Sequence, residues 1–315
     1  MAHLAPLEGK LVVLIGGGGF LGSYLAQGLL RRGARLRIAE RHPESAFTLK
    51  PLAELGQIQF ARCNVKKRGS VEAAMQGADA AVYLVGTWGA DQRALQADGA
   101  GLAARAAADQ GAGAFVYVSA IGADASSESG YAATKGEGEE QVRATFPNAT
   151  IVRPSIMFGE NDNFVNMFAR LIATLPALPV FGAQARLQPL FVDDAAEAIA
   201  NALADPAMYG GKVFELAGPE VLTMEVLHQR IAAAQGRERT FLAVPDALSS
   251  LFAALPGTPM NTDQWNLLKR GNVASGARPG CAELGVQPRP LGLFLDKWMT
   301  RFRKHGRFGG KRKAA

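Results

Sequence analysis

A tyrosine and a lysine four residues apart form a candidate acid–base pair in the segment Tyr131-Ala-Ala-Thr-Lys135. On a helix, this spacing places both side chains on one face. A neighbouring ammonium favours the phenolate over the phenol, whose pKa is ordinarily about 10, so the tyrosine becomes a usable general acid and base at neutral pH. The segment therefore predicts catalysis by Tyr131 with Lys135 beside it, and the lysine can also hold a ribose. A helix-surface pair without such a role is the alternative interpretation.

Glycines are concentrated where the first apolar run of the chain (KLVVLI) ends. Gly16, Gly19 and Gly22 have the spacing GxxGxxG, between that run and a helical pattern of leucines. Glycine permits a tight turn and lets the backbone approach a pyrophosphate, and the N-terminus of the next helix offers N–H groups to the phosphates. The spacing predicts a dinucleotide-binding loop, to which we also assign Phe20 and Leu21. A flexible glycine-rich turn is the alternative.

The end of the second predicted strand should meet the adenosine ribose of such a cofactor. Glu40 occupies this position and Arg41 follows it. A carboxylate would bond the two ribose hydroxyls and favour NAD(H), whereas a guanidinium would pair with a 2′-phosphate and favour NADP(H). Because both residues are present, they leave the choice between the two nucleotides open.

Two further strand ends contribute to the predicted cofactor cleft. Asn64 and Val65 follow the third predicted strand, where they are expected to flank the adenine. Leu84, Val85 and Gly86 end the fourth strand, where the crevice over the cofactor should lie.

Predicted strands and helices alternate along the first half of the chain. The predicted strands are residues 10–15, 35–39, 58–61, 80–85, 114–119 and 150–153. Such alternation implies right-handed βαβ units. We therefore expect an α/β fold, a Rossmann-type doubly wound parallel sheet with a smaller, mostly helical C-terminal lobe. The expected domains are a dinucleotide-binding Rossmann domain over residues 1–160, to which the chain returns near 187–216, a substrate or partner lobe over 161–300, and a basic tail over 301–315.

Composition describes a globular chain and limits its function. Of 315 residues, 48% are hydrophobic and 20% charged, which is ordinary for a folded domain and argues against disorder. No apolar run reaches the ~18 residues of a membrane-spanning helix. Two cysteines, Cys63 and Cys281, and four scattered histidines predict neither a disulfide framework nor a metal site. We expect a cytoplasmic location, with the inner face of a membrane as the alternative.

The net charge of +6 is concentrated at the C-terminus. Residues 297–315 hold eight basic residues and no acidic one, while the rest of the chain holds 26 basic and 28 acidic residues. Because the predicted domains carry no basic excess, the charge distribution argues against a nucleic-acid partner.

An apolar stripe at helical spacing accompanies this basic segment. The stripe consists of Leu291, Phe294, Leu295, Trp298 and Phe302. The basic residues that lie outside it in the same segment are Lys297, Arg301, Arg303 and Lys304. A basic amphipathic helix can dock on an anionic membrane surface or on a larger assembly. Alternatively, the stripe packs on the chain's own lobe and only residues 306–315 extend into solvent.

These motifs resemble those of the extended and atypical short-chain dehydrogenase/reductase superfamily. The glycine spacing, the Asn64-Val65 position and the pair Tyr131 and Lys135 all match it. The chain more specifically resembles the branch that includes the NAD(P)-binding accessory subunit of respiratory complex I and its bacterial relatives. The segments that carry this likeness are residues 83–86 (YLVG), 118–124 (VSAIGAD), 153–164 (RPSIMFGENDNF), 214–219 (FELAGP), 262–264 (TDQ), 267–268 (LL) and 272–273 (NV).

The resemblance implies further site residues and one departure. The additional cofactor contacts that it implies are Ser119, Pro154, Ser155 and Ile156. Relatives with sugar-nucleotide chemistry carry Ser or Thr just after the fifth strand, where this chain has Ala120. Ser119 lies one position earlier and is a candidate third catalytic residue. The branch carries arginine at the position of Arg41, so the resemblance favours NADP(H).

Two functions follow from the resemblance and from this departure. The first is a protein that resembles the complex I accessory subunit and holds its nicotinamide nucleotide tightly, in a mainly structural or regulatory role. The alternative is an active NAD(P)-dependent oxidoreductase or epimerase that uses Tyr131 and Lys135 on a small molecule. A missing hydroxyl at Ala120 would remove a hydrogen bond to the substrate oxygen and favours the first. Docking on a respiratory complex, or on an anionic membrane surface, would use the basic C-terminus.

Overall fold

A computed structural model describes residues 7–258 and 260–304 of the chain. These residues divide into two compact units. The first contains the described residues up to Pro154 together with Val192–Leu216 and Ala274–Gln287. The second contains Ser155–Phe191, Ala217–Val273 and the described residues from Pro288 onward.

The strands and helices of both units are numbered in chain order. The strands are β1 (Leu11–Ile15), β2 (Arg35–Glu40), β3 (Ile58–Arg62), β4 (Ala80–Tyr83), β5 (Ala114–Val118), β6 (Thr150–Pro154), β7 (Met157–Phe158), β8 (Ala177–Phe181), β9 (Arg186–Leu187), β10 (Leu190–Phe191), β11 (Val213–Leu216), β12 (Leu222–Thr223) and β13 (Thr240–Val244). The α-helices are α1 (Phe20–Arg31), α2 (Arg68–Met75), α3 (Gly99–Asp109), α4 (Gly130–Thr145), α5 (Phe164–Thr174), α6 (Val192–Ala204), α7 (Pro206–Tyr209), α8 (Met224–Ala234), α9 (Asp246–Ala254), α10 (Thr262–Arg270) and α11 (Gly292–Trp298). 3₁₀-helical segments cover Pro43–Leu52, Ala282–Leu284 and Met299–Phe302, and a π-helical segment covers Arg93–Asp98.

The first unit is built on one seven-stranded sheet with the order β11-β6-β5-β4-β1-β2-β3. Every neighbouring pair in it is parallel. All residues of β1, β4 and β5 are buried, as expected for central strands of a sheet that is covered on both faces. The predicted Rossmann-type parallel sheet is therefore confirmed. Because β1 lies between β2 and β4, the chain winds away in opposite directions from β1, which creates a ligand crevice at the carboxyl ends of these strands.

Small side chains on α3 allow this helix to lie close to the sheet. Four alanines of α3 are fully buried in one cluster with Phe115 and Tyr117 of β5. They are Ala100, Ala103, Ala104 and Ala107. An alanine-rich face brings the helix axis near the strands, and helix propensity is highest for alanine. The alanine-rich pattern of residues 95–110 predicts one helix, but these residues form most of the π-helical segment Arg93–Asp98 followed by α3.

The second unit contains three two-stranded sheets among its helices. β7 pairs with β10 and β8 with β13 in parallel, while β9 pairs with β12 in antiparallel orientation. α8 turns Met224, Leu227 and Ile231 inward, as its amphipathic pattern predicts.

The unit boundaries differ from those expected from the sequence. The first unit ends at Pro154 rather than at residue 160, and the chain returns to it at Val192 rather than near 187. The apolar run of residues 187–192 predicts a single strand, but it forms the end of β9 and the whole of β10, which pair with β12 and β7 inside the second unit. Residues 274–287, expected in the smaller lobe, belong to the first unit, where the Ser275 N–H donates to the Glu215 carboxylate at 2.6 Å.

The apolar stripe near the C-terminus packs within the second unit. Leu291 and Leu295 are buried, and the Phe294 ring stacks on Phe191 at 4.1 Å between centroids. The stripe therefore packs on its own unit, as the alternative to membrane or partner docking predicts. The predicted solvent-exposed tail of residues 306–315 lies outside the described residues. Within the described part of the chain, no helix has the length and apolarity needed to cross a membrane.

Candidate functional site

The glycine loop connects β1 to α1 with tight backbone packing. Gly16 adopts φ +84°, a conformation that favours glycine. A Cβ on Gly22 would lie 2.5 Å from the carbonyl oxygen of Gly17 and 2.7 Å from its Cα, so any larger residue would push the helix off the loop. Gly19 caps α1 without a side-chain hydrogen bond, which leaves the first-turn N–H groups to serve a ligand. The loop fits the pyrophosphate of a dinucleotide, which needs both close backbone approach and N–H donors.

Glu40 links the end of β2 to the glycine loop. Its Oε1 accepts a hydrogen bond of 2.8 Å from the Gly18 N–H. Arg41 follows and is exposed. Asn64 and Val65 come directly after β3, where the Asn64 N–H donates to the Ser70 hydroxyl at 2.9 Å and Val65 is buried. The predicted adenosine-side residues therefore lie at the carboxyl ends of β2 and β3.

Lys135 is buried beneath the ends of two strands. Its Nζ donates to the Val118 carbonyl at 2.8 Å and to the Val85 carbonyl at 3.2 Å. A Cβ built on Gly86 would lie 3.8 Å from this nitrogen and 4.0 Å from the Tyr131 hydroxyl. Tyr131, Lys135 and Gly86 thus come together beside the carboxyl end of β4. Leu84 precedes them and its N–H donates to the Ile15 carbonyl, which ties this segment to β1.

An indole covers the Tyr131 ring. Trp88 stacks on it with 4.0 Å between centroids and 14° between ring planes. Trp88 itself is 43% exposed. One face of the phenol is therefore shielded by a surface side chain that a bound ligand could displace or contact.

Burial moves the two titrating groups in opposite directions. Desolvation raises the pKa of Tyr131 to about 12. Desolvation lowers the pKa of Lys135 to about 7, partly opposed by the carboxylate of Glu139. The expectation that the ammonium would make Tyr131 a better acid is therefore wrong in this structure, because burial penalises the phenolate and reduces the lysine's charge at neutral pH.

Ser119 points its hydroxyl into a buried ion pair. Its Oγ donates to Glu139 Oε1 at 2.6 Å. The same carboxylate receives two hydrogen bonds of 2.8 Å from the Arg153 guanidinium. Ala120 next to it contributes only a methyl group. The hydroxyl proposed from the sequence as a third catalytic group is therefore engaged by Glu139, and no local sequence motif marks Glu139 or Arg153 as partners of Ser119.

The segment after β6 is held by polar contacts of the second unit. Pro154 ends β6, and the Ser155 hydroxyl donates to the Gln188 carbonyl at 2.6 Å. The Ile156 N–H donates to the Asn272 side chain. Contact of these three residues with a cofactor stays a prediction. Among the described residues, no group of three His, Cys, Asp or Glu side chains could hold a metal.

The parallel sheet, the glycine loop and the clustered Tyr131 and Lys135 are those of a short-chain dehydrogenase/reductase. Comparison with known proteins agrees. A family described as NAD(P)H-binding matches residues 16–168, and the family described as RmlD substrate binding domain matches residues 122–256. The mitochondrial NADH dehydrogenase (ubiquinone) 1 alpha subcomplex subunit 9 of Mus musculus is 30% identical over 315 residues, covering 96% of this chain and 82% of the relative. The chain belongs to the family of that subunit.

The chain is also similar to other relatives and solved structures. The ceramide reductase of Caulobacter vibrioides is 32% identical over 192 residues, which are 59% of this chain and 58% of the relative. Epimerase Mth375 of Methanothermobacter thermautotrophicus has a TM-score of 0.73 at 17% identity, covering 95% of this chain and 94% of the other. The dTDP-glucose 4,6-dehydratase DesIV of Streptomyces venezuelae, solved with NAD, has a TM-score of 0.71 at 18% identity, covering 93% and 96%. At these identities the two structures share the fold alone.

The buried lysine predicts a pH dependence of stability. Between pH 7 and 10 an unfolded lysine, with a pKa of about 10.4, binds a proton that Lys135 in the folded chain has largely lost. The free energy of unfolding should therefore rise with pH between 7.5 and 8.5, by roughly 1 kcal/mol per pH unit from this group. Urea unfolding of the nucleotide-free protein should show that this slope disappears in Lys135→Met. The exposed Lys67→Met is the control, and equal slopes in all three proteins would contradict the lowered pKa of Lys135.

Proposed function

We propose that this protein holds a nicotinamide dinucleotide tightly in a mainly structural or regulatory role. The observation that carries the proposal is the missing substrate-binding hydroxyl after β5, where Ala120 offers a methyl and the Ser119 hydroxyl binds Glu139. The raised pKa of Tyr131, to about 12, further supports slow proton transfer at neutral pH. Membership in the family of a respiratory complex subunit is consistent with this role.

The residues of the site divide the work of holding the nucleotide. The glycine loop and the first turn of α1 would donate N–H groups to the pyrophosphate. Lys135 would hold a ribose, because an ammonium has three N–H donors and the Val85 and Val118 carbonyls take two within the described residues. Trp88 over Tyr131 would limit water at the nicotinamide end. When bound, the nicotinamide itself supplies a hydride donor or acceptor.

NADP(H) is the nucleotide that we propose for this site. Arg41 is exposed at the end of β2, where a guanidinium can pair with a 2′-phosphate. Glu40 would favour NAD(H), but one of its carboxylate oxygens already accepts the Gly18 N–H. That bond reduces what Glu40 can offer to ribose hydroxyls and supports the choice of NADP(H).

Removal of the Arg41 guanidinium should reveal this preference. Arg41→Ala should weaken NADP(H) binding by ~1.5–3 kcal/mol, the range for a hydrogen bond to a charged group, and change NAD(H) binding little. Titration calorimetry would measure both affinities, with Arg31→Ala on the exposed side of α1 as the control. Tighter binding of NAD(H) than of NADP(H) by the unmodified protein would reverse the assignment and give the ribose to Glu40.

An active oxidoreductase or epimerase is the second candidate function. It is favoured by the position of Gly86, whose added Cβ would lie within 4.0 Å of both Lys135 Nζ and the Tyr131 hydroxyl. Both groups therefore face one space at the end of β4, as acid–base chemistry requires. The likeness to a ceramide reductase over 59% of the chain points the same way.

Nucleotide exchange and oxidation separate the two functions. For a structural role, purified protein should release a stoichiometric nucleotide only on denaturation, and its bound reduced form should oxidise slowly against quinones and carbonyl compounds. Chromatography of the released nucleotide and stopped-flow absorbance are the measurements. Rapid oxidation in the unmodified protein that is lost in Tyr131→Phe, but kept in Tyr209→Phe at a partly exposed tyrosine of α7, would establish the enzyme and exclude the structural role.

We further propose that the basic C-terminal segment docks the protein on an anionic membrane surface, which makes it a peripheral rather than a free cytoplasmic protein. Lys297 and Lys304 are exposed in the described part of this segment. Arg301 and Arg303 also form hydrogen bonds within the second unit, to Asn166 and to the Ala234 carbonyl. The remaining basic residues, Arg307, Lys311, Arg312 and Lys313, lie outside the described residues. A charge-driven contact of this kind does not require the covered apolar stripe.

Charge reversal tests this docking surface. Two basic residues near an anionic surface contribute ~1 kcal/mol each, so Lys297→Glu with Lys304→Glu should lower liposome affinity at least thirtyfold, by roughly 2 kcal/mol. Co-sedimentation with and without anionic lipid would measure this, and Lys67→Glu with Lys212→Glu is the matched control. If the unmodified protein does not co-sediment with anionic liposomes, membrane docking is excluded, and a protein partner is the remaining ligand for the basic segment.

A further inference from the structure

A π-helical turn over Arg93–Asp98 is anchored to the sheet by two phenols. A π-helical turn widens the backbone and withdraws carbonyls from the usual helical hydrogen bonds, and such turns are frequent at functional sites. Here the Tyr83 hydroxyl donates to the Leu95 carbonyl, and the Tyr117 hydroxyl donates to the Gln96 carbonyl at 2.8 Å. Both tyrosines are fully buried on neighbouring strands. The position of Gln96 relative to β4 and β5 is thereby fixed.

The side chain of Gln96 is buried in a defined orientation. It is 0% exposed, and its Nε2 donates to the Thr134 hydroxyl at 3.1 Å and to the Thr87 carbonyl at 3.3 Å. The Thr134 hydroxyl donates its own proton to the Gly130 carbonyl at 2.9 Å and therefore accepts from Gln96. Because both partners of Gln96 are acceptors, the amide nitrogen must face them. The amide oxygen consequently faces away from these threonines.

That oxygen lies at the nicotinamide end of the site. Gln96 Oε1 is buried and has no hydrogen-bond partner among the described residues. A Cβ built on Gly86 would lie 3.8 Å from it, 3.8 Å from Lys135 Nζ and 4.0 Å from the Tyr131 hydroxyl. Three polar groups therefore surround one small space. Buried acceptors are almost always satisfied, so Gln96 Oε1 needs a donor, which a ligand hydroxyl or a water molecule can supply.

The strand order identifies which part of a dinucleotide would reach this space. The adenosine half lies over β2, where Glu40 ends the strand, and the pyrophosphate lies at the loop after β1. The other half must then run over β4 and β5, beside Gly86. Its ribose hydroxyls can both accept from Lys135 and donate to Gln96, whereas a carbonyl or phosphate oxygen of the ligand has no proton to donate.

We propose that Gln96 is a cofactor-positioning residue whose Oε1 accepts a hydrogen bond from a ribose hydroxyl of the nicotinamide half. The proposal rests on nucleotide binding by this chain, but on neither the choice of NADP(H) nor the absence of turnover. Through this bond the π-helical turn, and with it α3, orients the nicotinamide ribose against Gly86. Loss of the bond affects only ligands that contain this second ribose.

The test compares two ligands that share the adenosine end. Gln96→Met keeps the length of the side chain and removes its polar atoms, and Gln229→Met at an exposed position of α8 is the control. Titration calorimetry with NADP⁺ and with adenosine 2′,5′-bisphosphate should show about tenfold weaker NADP⁺ binding in Gln96→Met, the effect of one hydrogen bond, and unchanged binding of the bisphosphate. NAD⁺ and AMP replace these ligands if NAD(H) proves the tighter nucleotide.

A second comparison uses the unmodified protein and does not depend on how well Gln96→Met folds. Two dinucleotide analogues are compared, one without the 2′-hydroxyl and one without the 3′-hydroxyl of the nicotinamide ribose. One of the two should bind the unmodified protein about tenfold more weakly than the parent dinucleotide does. In folded Gln96→Met that analogue should bind no more weakly than the parent dinucleotide. Full affinity for both analogues, unchanged NADP⁺ affinity in Gln96→Met, or equal loss for NADP⁺ and the bisphosphate would each overturn the role of Gln96. Failure of the unmodified protein to bind either dinucleotide would instead overturn nucleotide binding itself.

Discussion

The burial of the Lys135 ammonium constrains the arrangement of the whole site. A cation in the interior needs acceptors, and the carbonyls of Val85 and Val118 supply them at the ends of two adjacent strands. These two hydrogen bonds therefore fix the position of α4, which carries Lys135, relative to the ends of β4 and β5. One turn later Glu139 adds a compensating charge, and the Arg153 side chain from β6 fixes that carboxylate with two hydrogen bonds. Three strands and one helix are thus joined around a single side chain.

The same constraint shapes the chemistry that the site can perform. The Ser119 hydroxyl lies one residue before Ala120, the expected catalytic position, and donates its hydrogen bond to the buried carboxylate of Glu139. Desolvation holds the proton on Tyr131 and weakens that on Lys135. Burial thus moves the pKa of Tyr131 away from neutral pH, which disfavours release of its proton, while it brings the pKa of Lys135 close to neutral pH, as in lysines that take part in acid–base catalysis.

Local patterns were sufficient to predict the sheet and the glycine loop, but not the contacts that tune the site. Apolar runs such as residues 11–15 and the GxxGxxG spacing act over a few neighbours, so the sequence predicts them directly. The pKa of Tyr131 depends on burial by distant segments, and the pairing of β9 and β10 depends on partners far along the chain. The residues of the π-helical turn around Gln96 have the same alanine-rich composition as α3, and this composition predicts an ordinary α-helix.

The last strand of the main sheet reaches its place from far along the sequence. Val213 of β11 pairs with Ile151 of β6, and the whole first segment of the second unit, Ser155–Phe191, is synthesised between them. Contacts of such high sequence separation slow folding, since the intervening chain must be closed into a loop before they form. During synthesis the open edge of β6 remains available to other strands until β11 has left the ribosome. The nascent chain therefore passes through a stage in which β6, as well as the permanent edge strand β3, offers an unpaired edge to chaperones and to aggregation.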